Sequence, residues 1–205
     1  NESKSATTEI TVSDYLFYES GVGGSSYGET EHHTVGGGDY ITTGSTKNME
    51  NTITFPEKIE FKPGTAQLVS FMTTMNTKVY TFQRSVKLAT AEGTDLVTLD
   101  YVNLDIGTKA AWSSTTSTLG TTLGSIPAVD EWQKVTVLFK TNTNGVTKAI
   151  ATVGDTETDL GEITGQDLGA IKLKVGDCGG GTDRYVALKD IAVSQIDVTG
   201  MSIDG

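Results

Sequence analysis

Short alternations of apolar and polar residues recur along the chain, and turn-forming residues separate them. The runs at 136–139, 171–175 and 185–193 are typical, with Val, Ile and Leu at alternate positions and Gly, Asn, Asp or Thr between runs. No stretch has the 3.6-residue period of an amphipathic helix. The pattern therefore predicts an all-β sandwich.

Particular runs predict where individual strands lie in the sheets. The run 52–61 contains Pro56, which predicts an edge strand or a bend because proline cannot donate to a central hydrogen-bond ladder. The run 67–75 is apolar on both parities, as expected of a strand that is covered on both faces.

In the last run, the apolar parity changes between Leu188 and Ile191, which predicts a β-bulge near Lys189 and Asp190.

The second half of the chain contains the clearest turn signals. The segment from Asn142 to Gly145 has the composition of a hairpin turn, and it leads into an alternating run at 146–153. Gly154 and Asp155 form the next turn signal, and the chain then returns through residues 156–160. These signals predict a β-meander.

The length of 205 residues suits one β-sandwich domain. We expect a linker or frayed start at 1–9, the sandwich at 10–198 and a tail at 199–205. Residues 21–44 are rich in glycine and predict a long loop, and loops of that length in compact domains are usually functional or mobile.

Charge and composition exclude several functions. The net charge is −11 and the basic residues are scattered, so the sequence lacks the footprint of a nucleic-acid-binding surface. No apolar run approaches the roughly 20 residues of a membrane span. The single cysteine, Cys178, excludes an internal disulfide, and a lone cysteine of this kind is usually a buried or incidental thiol. Abundant Thr, Ser and Gly, together with a start that lacks methionine, suggest a domain cut from a longer secreted protein.

Three segments carry a resemblance to known proteins. They are residues 17–19 (Phe-Tyr-Glu), residues 131–137 (Glu-Trp-Gln-Lys-Val-Thr-Val) and residues 188–193 (Leu-Lys-Asp-Ile-Ala-Val). In these segments the chain resembles the bacterial β-jelly-roll carbohydrate-binding modules and the wider group of concanavalin A-like sandwiches. The resemblance implies an antiparallel β-sandwich of jelly-roll type, in which Trp132 packs in the core. It also implies that Glu19 and Asp190 lie side by side and share a structural calcium, although solvated carboxylates at strand ends are the alternative.

Sugar binding requires exposed aromatic rings beside hydrogen-bonding groups. Trp112 is the first candidate because its sequence neighbours are small and polar, although an indole is as often a core residue. Tyr80, Phe82 and Arg84 alternate along one strand and so share a face.

Further candidates extend this ligand-binding surface. Tyr101 and Asn103 would continue it on a neighbouring strand, with cross-strand packing as the alternative for the aromatic residues. Tyr27 and Tyr40 belong to the glycine-rich segment, where a rim site could form. The adjacent His32 and His33 face opposite sides of an extended chain and make a poor metal pair.

One motif suggests catalysis. Glu157, Asp159 and Glu162 match the Glu-x-Asp-x-x-Glu pattern of a β-glucanase-like family of retaining glycoside hydrolases, in which two glutamates act as nucleophile and acid/base. Gly161 would interrupt such a catalytic strand. The motif is therefore interpreted as an exposed hairpin arm.

The sequence thus predicts a non-catalytic carbohydrate-binding module that holds a secreted polysaccharide-degrading enzyme on its polymer. Its partners would be a polysaccharide or oligosaccharide and the catalytic domain of the same parent chain. Two alternatives stay open: a glycoside hydrolase or lyase that uses Glu157 and Glu162, and a bacterial surface adhesion domain that binds protein through an apolar patch.

Overall fold

The structure is a computed structural model, and it describes residues 12–19, 30–35, 38–43, 49–75, 83–113, 116–128, 131–175 and 186–205. For the strands before residue 50, the description is of the backbone alone. No helix among the described residues is long and apolar enough to span a bilayer.

Short β-strands make up most of the described chain. In chain order, they are β1 (Val12–Glu19), β2 (Thr30–Val35), β3 (Gly38–Thr43), β4 (Met49–Glu60), β5 (Thr65–Met75), β6 (Arg84–Ala89), β7 (Asp95–Val102), β8 (Asp105–Thr108), β9 (Thr122–Ser125), β10 (Gln133–Thr141), β11 (Thr147–Val153), β12 (Thr156–Glu162), β13 (Asp167–Val175) and β14 (Val186–Ile196).

Within the described residues, the strands form two antiparallel sheets. The eight-stranded sheet has the order β12-β11-β10-β5-β14-β3-β2, and β1 also pairs with β14. The six-stranded sheet has the order β4-β13-β6-β7-β8-β9. Neighbours such as β5 and β14 are far apart in sequence, as in a jelly roll. The prediction of an all-β, antiparallel jelly-roll sandwich is confirmed.

The core lies between the two sheets and follows the two-residue period of the strands. In β10, Val135, Val137 and Phe139 are fully buried, while Lys134 on the other face is exposed. The six-stranded sheet supplies the facing rows, which include Leu88, Leu99, Ile171 and Leu173. Burial of these rows is the main favourable term in the stability of the fold.

The prediction about β4 is confirmed, and the prediction that β5 is covered on both faces holds for its first half. β4, which contains Pro56, is the edge strand of the six-stranded sheet. β5 is central in its sheet, between β10 and β14. Its inner residues Val69 and Phe71 are fully buried, and Leu68 on the outer face packs into a second apolar cluster.

The predicted bulge in the last strand is also confirmed. The register between β14 and β5 shifts between Lys189 and Ala192, and Asp190 has a φ of 52°. Aspartate is among the residues that tolerate this left-handed conformation. The extra residue moves Ile191 and Val193 onto the same inner face as Leu188, which explains the change of parity.

Both turns of the predicted meander are present. The Asn142 side-chain oxygen accepts hydrogen bonds from the backbone N–H groups of Asn144 (3.0 Å) and Val146 (2.9 Å), which closes the β10–β11 turn. Gly145 and Gly154 have φ values of 83° and 58°, which glycine adopts without a steric penalty.

The segment after β14 packs on the outer face of the eight-stranded sheet, the face turned away from the core. Met201 and Ile203 contact a cluster that includes Leu68, Leu138 and Ile150. Asp204 accepts hydrogen bonds from both the backbone N–H and the hydroxyl of Thr143, each at 2.9 Å. Residues 199–205, expected as a tail, therefore form a strap over one half of this face.

A hydrogen bond crosses the core and joins the two sheets. The Tyr101 hydroxyl on β7 lies 2.8 Å from the Thr73 hydroxyl on β5, and both residues are fully buried. Burial raises the pKa of Tyr101, so its phenol stays neutral and can donate. The pair fixes the position of one sheet against the other at a specific point.

We expect Tyr101→Phe to lower the free energy of unfolding by about 1 kcal/mol, because it leaves the buried Thr73 hydroxyl without this partner. Urea unfolding of Tyr101→Phe, of Thr73→Val and of the double variant measures the coupling energy between the two hydroxyl groups. If the two single losses add without coupling, the hydrogen bond does not contribute to stability.

Candidate functional site

The open half of the outer face of the eight-stranded sheet is the candidate site. The C-terminal strap covers the half around Leu68, Leu138 and Ile150. The half around Met72 lies four residues further along β5 than Leu68, which is about 13 Å for an extended strand. The strap therefore covers one half of the outer face and leaves the half around Met72 uncovered by it.

Three residues in register cross this open surface, and together they are called the outer row. Lys134 of β10 pairs with Met72 of β5, which also pairs with Lys189 of β14. Lys134 is exposed, and Met72 and Lys189 are half-buried. Directly opposed residues of an antiparallel pair share a face, so the row presents two cations on either side of an apolar side chain.

Trp132 borders the outer row just before β10 begins. The Lys189 ammonium lies 4.3 Å from the centre of the Trp132 ring, within the range of a cation–π interaction. Trp132 is half-buried, so it is not the core residue that the resemblance implied. Its ring and the Lys189 cation are held together at the edge of the open surface.

The backbone continues the outer row toward β3 and β2. Leu188 pairs with Ile41, so Lys189 and Tyr40 are each one residue further along their strands, and Tyr40 is the register partner of His33. The row thus continues from Lys189 through the register positions of a tyrosine and a histidine. Both residue types are suited to proton transfer.

On the outer face of the six-stranded sheet, carboxylates pair with two of the lysines. Asp95 bridges Lys172 at 2.6 Å and Lys87 at 3.5 Å, and Lys87 also pairs with Glu50 at 3.2 Å. Burial raises the pKa of Asp95, but both lysines outweigh this effect and bring the pKa below its ordinary value. These cations are engaged within the sheet, unlike the exposed Lys134.

Trp112 lies on a loop that covers part of the six-stranded sheet, beside Asp100 of β7. Asp100 is fully buried, and its Oδ2 accepts a hydrogen bond from the backbone N–H of Ala110 at 2.6 Å. Trp112 is half-buried, and its indole N–H forms no well-aligned hydrogen bond with any described residue, although it lies near this carboxylate. Trp112 is thus partly a packing residue and partly an accessible ring.

Burial is the main influence on the ionisation of Asp100. It raises the pKa of the carboxyl above its ordinary value, although the Ala110 N–H, Gln83 and Lys87 act in the opposite direction. None of the described residues donates a hydrogen bond to its Oδ1. The folded protein therefore disfavours the charged form of this group relative to the unfolded chain.

The aromatic platform predicted from β6 and β7 does not form as expected. Arg84 and Tyr101 have no exposed surface, because both lie on the inner side of the six-stranded sheet. These two residues therefore face the core and cannot belong to an exposed ligand-binding surface. Asn103 is exposed, with a φ of 54°, in the tight β7–β8 turn. The predicted ligand residues Tyr27, Tyr80 and Phe82 lie outside the described residues.

The predicted hydrolase pair is not brought together as retaining chemistry requires. Glu157 pairs with Thr152 and Glu162 with Lys148, so their register positions are four residues apart, or about 13 Å. Retaining enzymes hold the two carboxyl groups about 5–5.5 Å apart. Gly161, with a φ of 76°, interrupts the edge strand β12 as predicted. The three acidic side chains are exposed on the outer arm of the β11–β12 hairpin, and their lack of a catalytic role stays a prediction.

The predicted calcium residues come close in the backbone. Glu19 pairs with Ile191, the neighbour of Asp190 on the bulge, and Asp190 is exposed. Among the described residues, no group of three or more His, Cys, Asp or Glu side chains could hold a metal ion. Calcium bound by Glu19 and Asp190 therefore stays a prediction, one in which backbone or solvent oxygens would complete the coordination.

The apolar patch expected of an adhesion domain is not present in the described part of the chain. Leu104 and Val146 are the large apolar residues that stand exposed there, and they belong to separate turns. Isolated exposed apolar residues are normal for a soluble surface.

The outer row is not evident in the sequence. Lys134 and Lys189 stand there among scattered basic residues, and the resemblance implies a core position for Trp132. The sequence does indicate that Lys134 and Lys189 each lie next to core residues and so point away from the core. Their alignment in one row, however, depends on the pairing of β5 with both β10 and β14. That pairing joins segments far apart in the chain.

Comparison with known proteins gives structural neighbours only. No protein-family profile and no curated protein matches the sequence. The endo-β-1,4-glucuronan lyase of the fungus Trichoderma reesei has a TM-score of 0.56 at 12% identity, and the match covers 88% of this chain and 95% of that one. The alginate lyase AlgAT5 of polysaccharide lyase family 7 has a TM-score of 0.52 at 8% identity, covering 80% and 82%. A botulinum neurotoxin type C structure has a TM-score of 0.51 at 12% identity, covering 92% and 50%.

These neighbours are jelly-roll sandwiches, in agreement with the concanavalin A-like architecture that the sequence suggested. They also correct one expectation. The prediction of a non-catalytic domain is wrong, since two of the solved structures with this fold are polysaccharide lyases, which the match covers over 95% and 82% of their length. At these identities the likeness shows the fold alone.

We expect Asp100→Asn to be at least as stable as the parent at neutral pH, since it removes a buried charge and keeps an oxygen for the Ala110 N–H. The folded pKa is raised, so the parent gains stability as the pH falls and the carboxyl becomes protonated. Urea unfolding between about pH 4 and pH 7 should show the advantage of the variant shrinking toward acid pH. An advantage that grows toward acid pH would contradict this assignment.

If calcium binds beside the bulge, millimolar calcium should raise the midpoint of thermal unfolding and a chelator should reverse the effect. Asp190→Asn keeps the left-handed conformation accessible but removes the charge, so the calcium response should be lost. Asp155→Asn, in the β11–β12 turn, is the control and should keep it. An unchanged midpoint in the parent protein excludes this site.

Proposed function

We propose that the protein binds a uronate-containing polysaccharide across the outer row and cleaves it by β-elimination, as a polysaccharide lyase. The observation that carries the proposal is the alignment of Lys134 and Lys189 on an open sheet face, beside Trp132 and in line with Tyr40 and His33. The names of the two lyase neighbours, which specify glucuronan and alginate, support the choice of polymer.

The elimination needs three kinds of group. A base removes the proton on the carbon next to the uronate carboxyl, a cation stabilises the charge that develops on that carboxyl, and an acid protonates the oxygen that leaves as the C4–O bond breaks. Lys189 and Lys134 would hold the carboxylates of the polymer. His33 and Tyr40 would transfer the protons, because histidine titrates near neutral pH and a tyrosine hydroxyl can donate or accept.

The net charge of −11 does not prevent the protein from binding an acidic polymer. Each uronate needs one nearby cation, and local charge decides such contacts because salt screens charges beyond about 10 Å. The acidic residues of β12, Glu157 and Asp159, lie on the far side of β11 from the outer row. The polymer would therefore lie over β10, β5 and β14 toward β3 and avoid β12.

The flat contact surface also suits a sugar. The Trp132 ring can stack on the C–H face of a pyranose, while Ser70 and Thr136, which pair with each other beside the outer row, can hydrogen-bond to its hydroxyls. Because intact polysaccharides do not enter cells, we propose that the protein is secreted. We also propose that it is one domain of a bacterial enzyme with further domains.

The test is incubation of the full chain with glucuronan, alginate and pectate, with cellulose as the neutral polymer. Cleavage is followed by the ultraviolet absorbance of the unsaturated uronate product. Lys189→Gln should weaken retention on the acidic polymer. Tyr40→Phe and His33→Gln should each lower the cleavage rate about a hundredfold or more while retention persists.

Lys148→Gln is the matched control, because Lys148 lies on the same face of the sheet but at the register of Glu162, away from the outer row. It should leave both retention and cleavage unchanged. Retention without cleavage by the parent protein would overturn the lyase activity and keep the binding surface. A parent protein that is retained on none of the three acidic polymers would overturn both.

A further inference from the structure

A cavity of about 410 Å³ opens between the sheets at the end of the sandwich where β5 begins and β14 ends. Its walls include Pro56 and Ile59 of β4, Gln67 of β5 and Gln195 of β14. This volume falls within the range of small-molecule sites, roughly 300–1,000 Å³.

The path of β4 creates the cavity. Thr54 pairs with Ala170 and Ile59 pairs with Leu168, so four residues of β4 stand against the single residue Gly169 of β13. The extra length makes the edge strand bow away from the sheet. Pro56 lies within this segment, where no ladder hydrogen bond is required of it.

One residue of the lining has a buried amide oxygen without a donor among the described residues. Gln67 is only 2% exposed, and its Nε2 donates to the Thr65 hydroxyl and to Oε1 of Gln195, both at 3.2 Å. These two contacts fix the orientation of the amide. None of the described residues donates to Gln67 Oε1. Buried acceptors nearly always have a donor, so this unpaired oxygen on a lining residue favours a ligand that donates a hydrogen bond to it.

The rest of the lining indicates the chemistry of that ligand. Lys58 and Lys62 are balanced by Glu57 and Glu60, so the charged residues of the lining cancel. All four are exposed, and they offer hydrogen-bond donors and acceptors rather than a net field. Pro56 and Ile59 add apolar surface. An uncharged molecule with several hydroxyls and C–H faces fits this combination.

We propose that this cavity is a second carbohydrate site, which binds a neutral sugar of one or two residues through Gln67 Oε1. It is separate from the outer row. Gln67 and Met72 are five residues apart on β5, about 17 Å, and they face opposite sides of the sheet. Sugar binding in this cavity is therefore independent of any lyase activity at the outer row.

The test is NMR titration of the ¹⁵N-labelled full chain with glucose, xylose, N-acetylglucosamine and cellobiose. We expect at least one of these sugars to shift the side-chain amide of Gln67 and the backbone amide of Ile59. Gln67→Met, which keeps the length and removes the amide, should weaken that binding at least tenfold.

Gln133→Met is the matched control. The Gln133 Oε1 is also buried without a donor among the described residues, but Gln133 pairs with Thr73 at the other end of β5 and does not line the cavity. It should leave sugar affinity unchanged. If Gln67→Met unfolds, Lys58→Trp at the exposed rim serves instead, because it obstructs the mouth without altering the core.

Three outcomes would overturn the proposal. They are no shift with any of the four sugars, shifts confined to the outer row, and equal loss of affinity in Gln67→Met and Gln133→Met. Loss of polymer cleavage in the outer-row variants with unchanged binding of the small sugar would leave this site intact.

Discussion

The packing of two sheets through alternate residues is the constraint on which everything else depends. Each strand gives one set of side chains to the core, and rows such as Val135, Val137 and Phe139 are fully buried. Because the period is two, the intervening residues must stand on an outer face. The position of a candidate site is thus decided together with the core. A residue such as Tyr101 that shares the parity of the core cannot also bind polymer.

The two outer faces have different electrostatic character although both carry lysines. On the six-stranded sheet, Asp95 pairs with Lys87 and Lys172, and Glu50 pairs with Lys87, so these two lysine charges are used within the protein. On the eight-stranded sheet, Lys189 lies over the ring of Trp132. A cation held at an aromatic ring stays accessible to an anionic ligand, whereas a cation paired with a carboxylate must exchange partners to bind one. This difference favours the eight-stranded sheet as the polymer-binding face.

Most of the fold could be predicted from local pattern, whereas the candidate site could not. The exception is the segment 21–44, which was predicted as a long loop but contains the paired strands β2 and β3. Alternation, Pro56, the Asn142 turn and the parity change at Asp190 are each visible within about ten residues, and all four agree with the structure. The outer row instead requires that β10 and β14 flank β5, a pairing of segments that are far apart in sequence. Parity alone groups Arg84 with its alternate neighbours but does not say which of the two faces becomes the core.

The most direct measurement is an NMR titration of the full chain with a short oligomer of glucuronic acid, observed at the indole N–H groups and the lysine side chains. The account predicts that the indole N–H of Trp132 and the side chains of Lys134 and Lys189 shift together with one affinity. Shifts at Trp112 with no change at Trp132 would place the polymer on the six-stranded sheet and contradict the account.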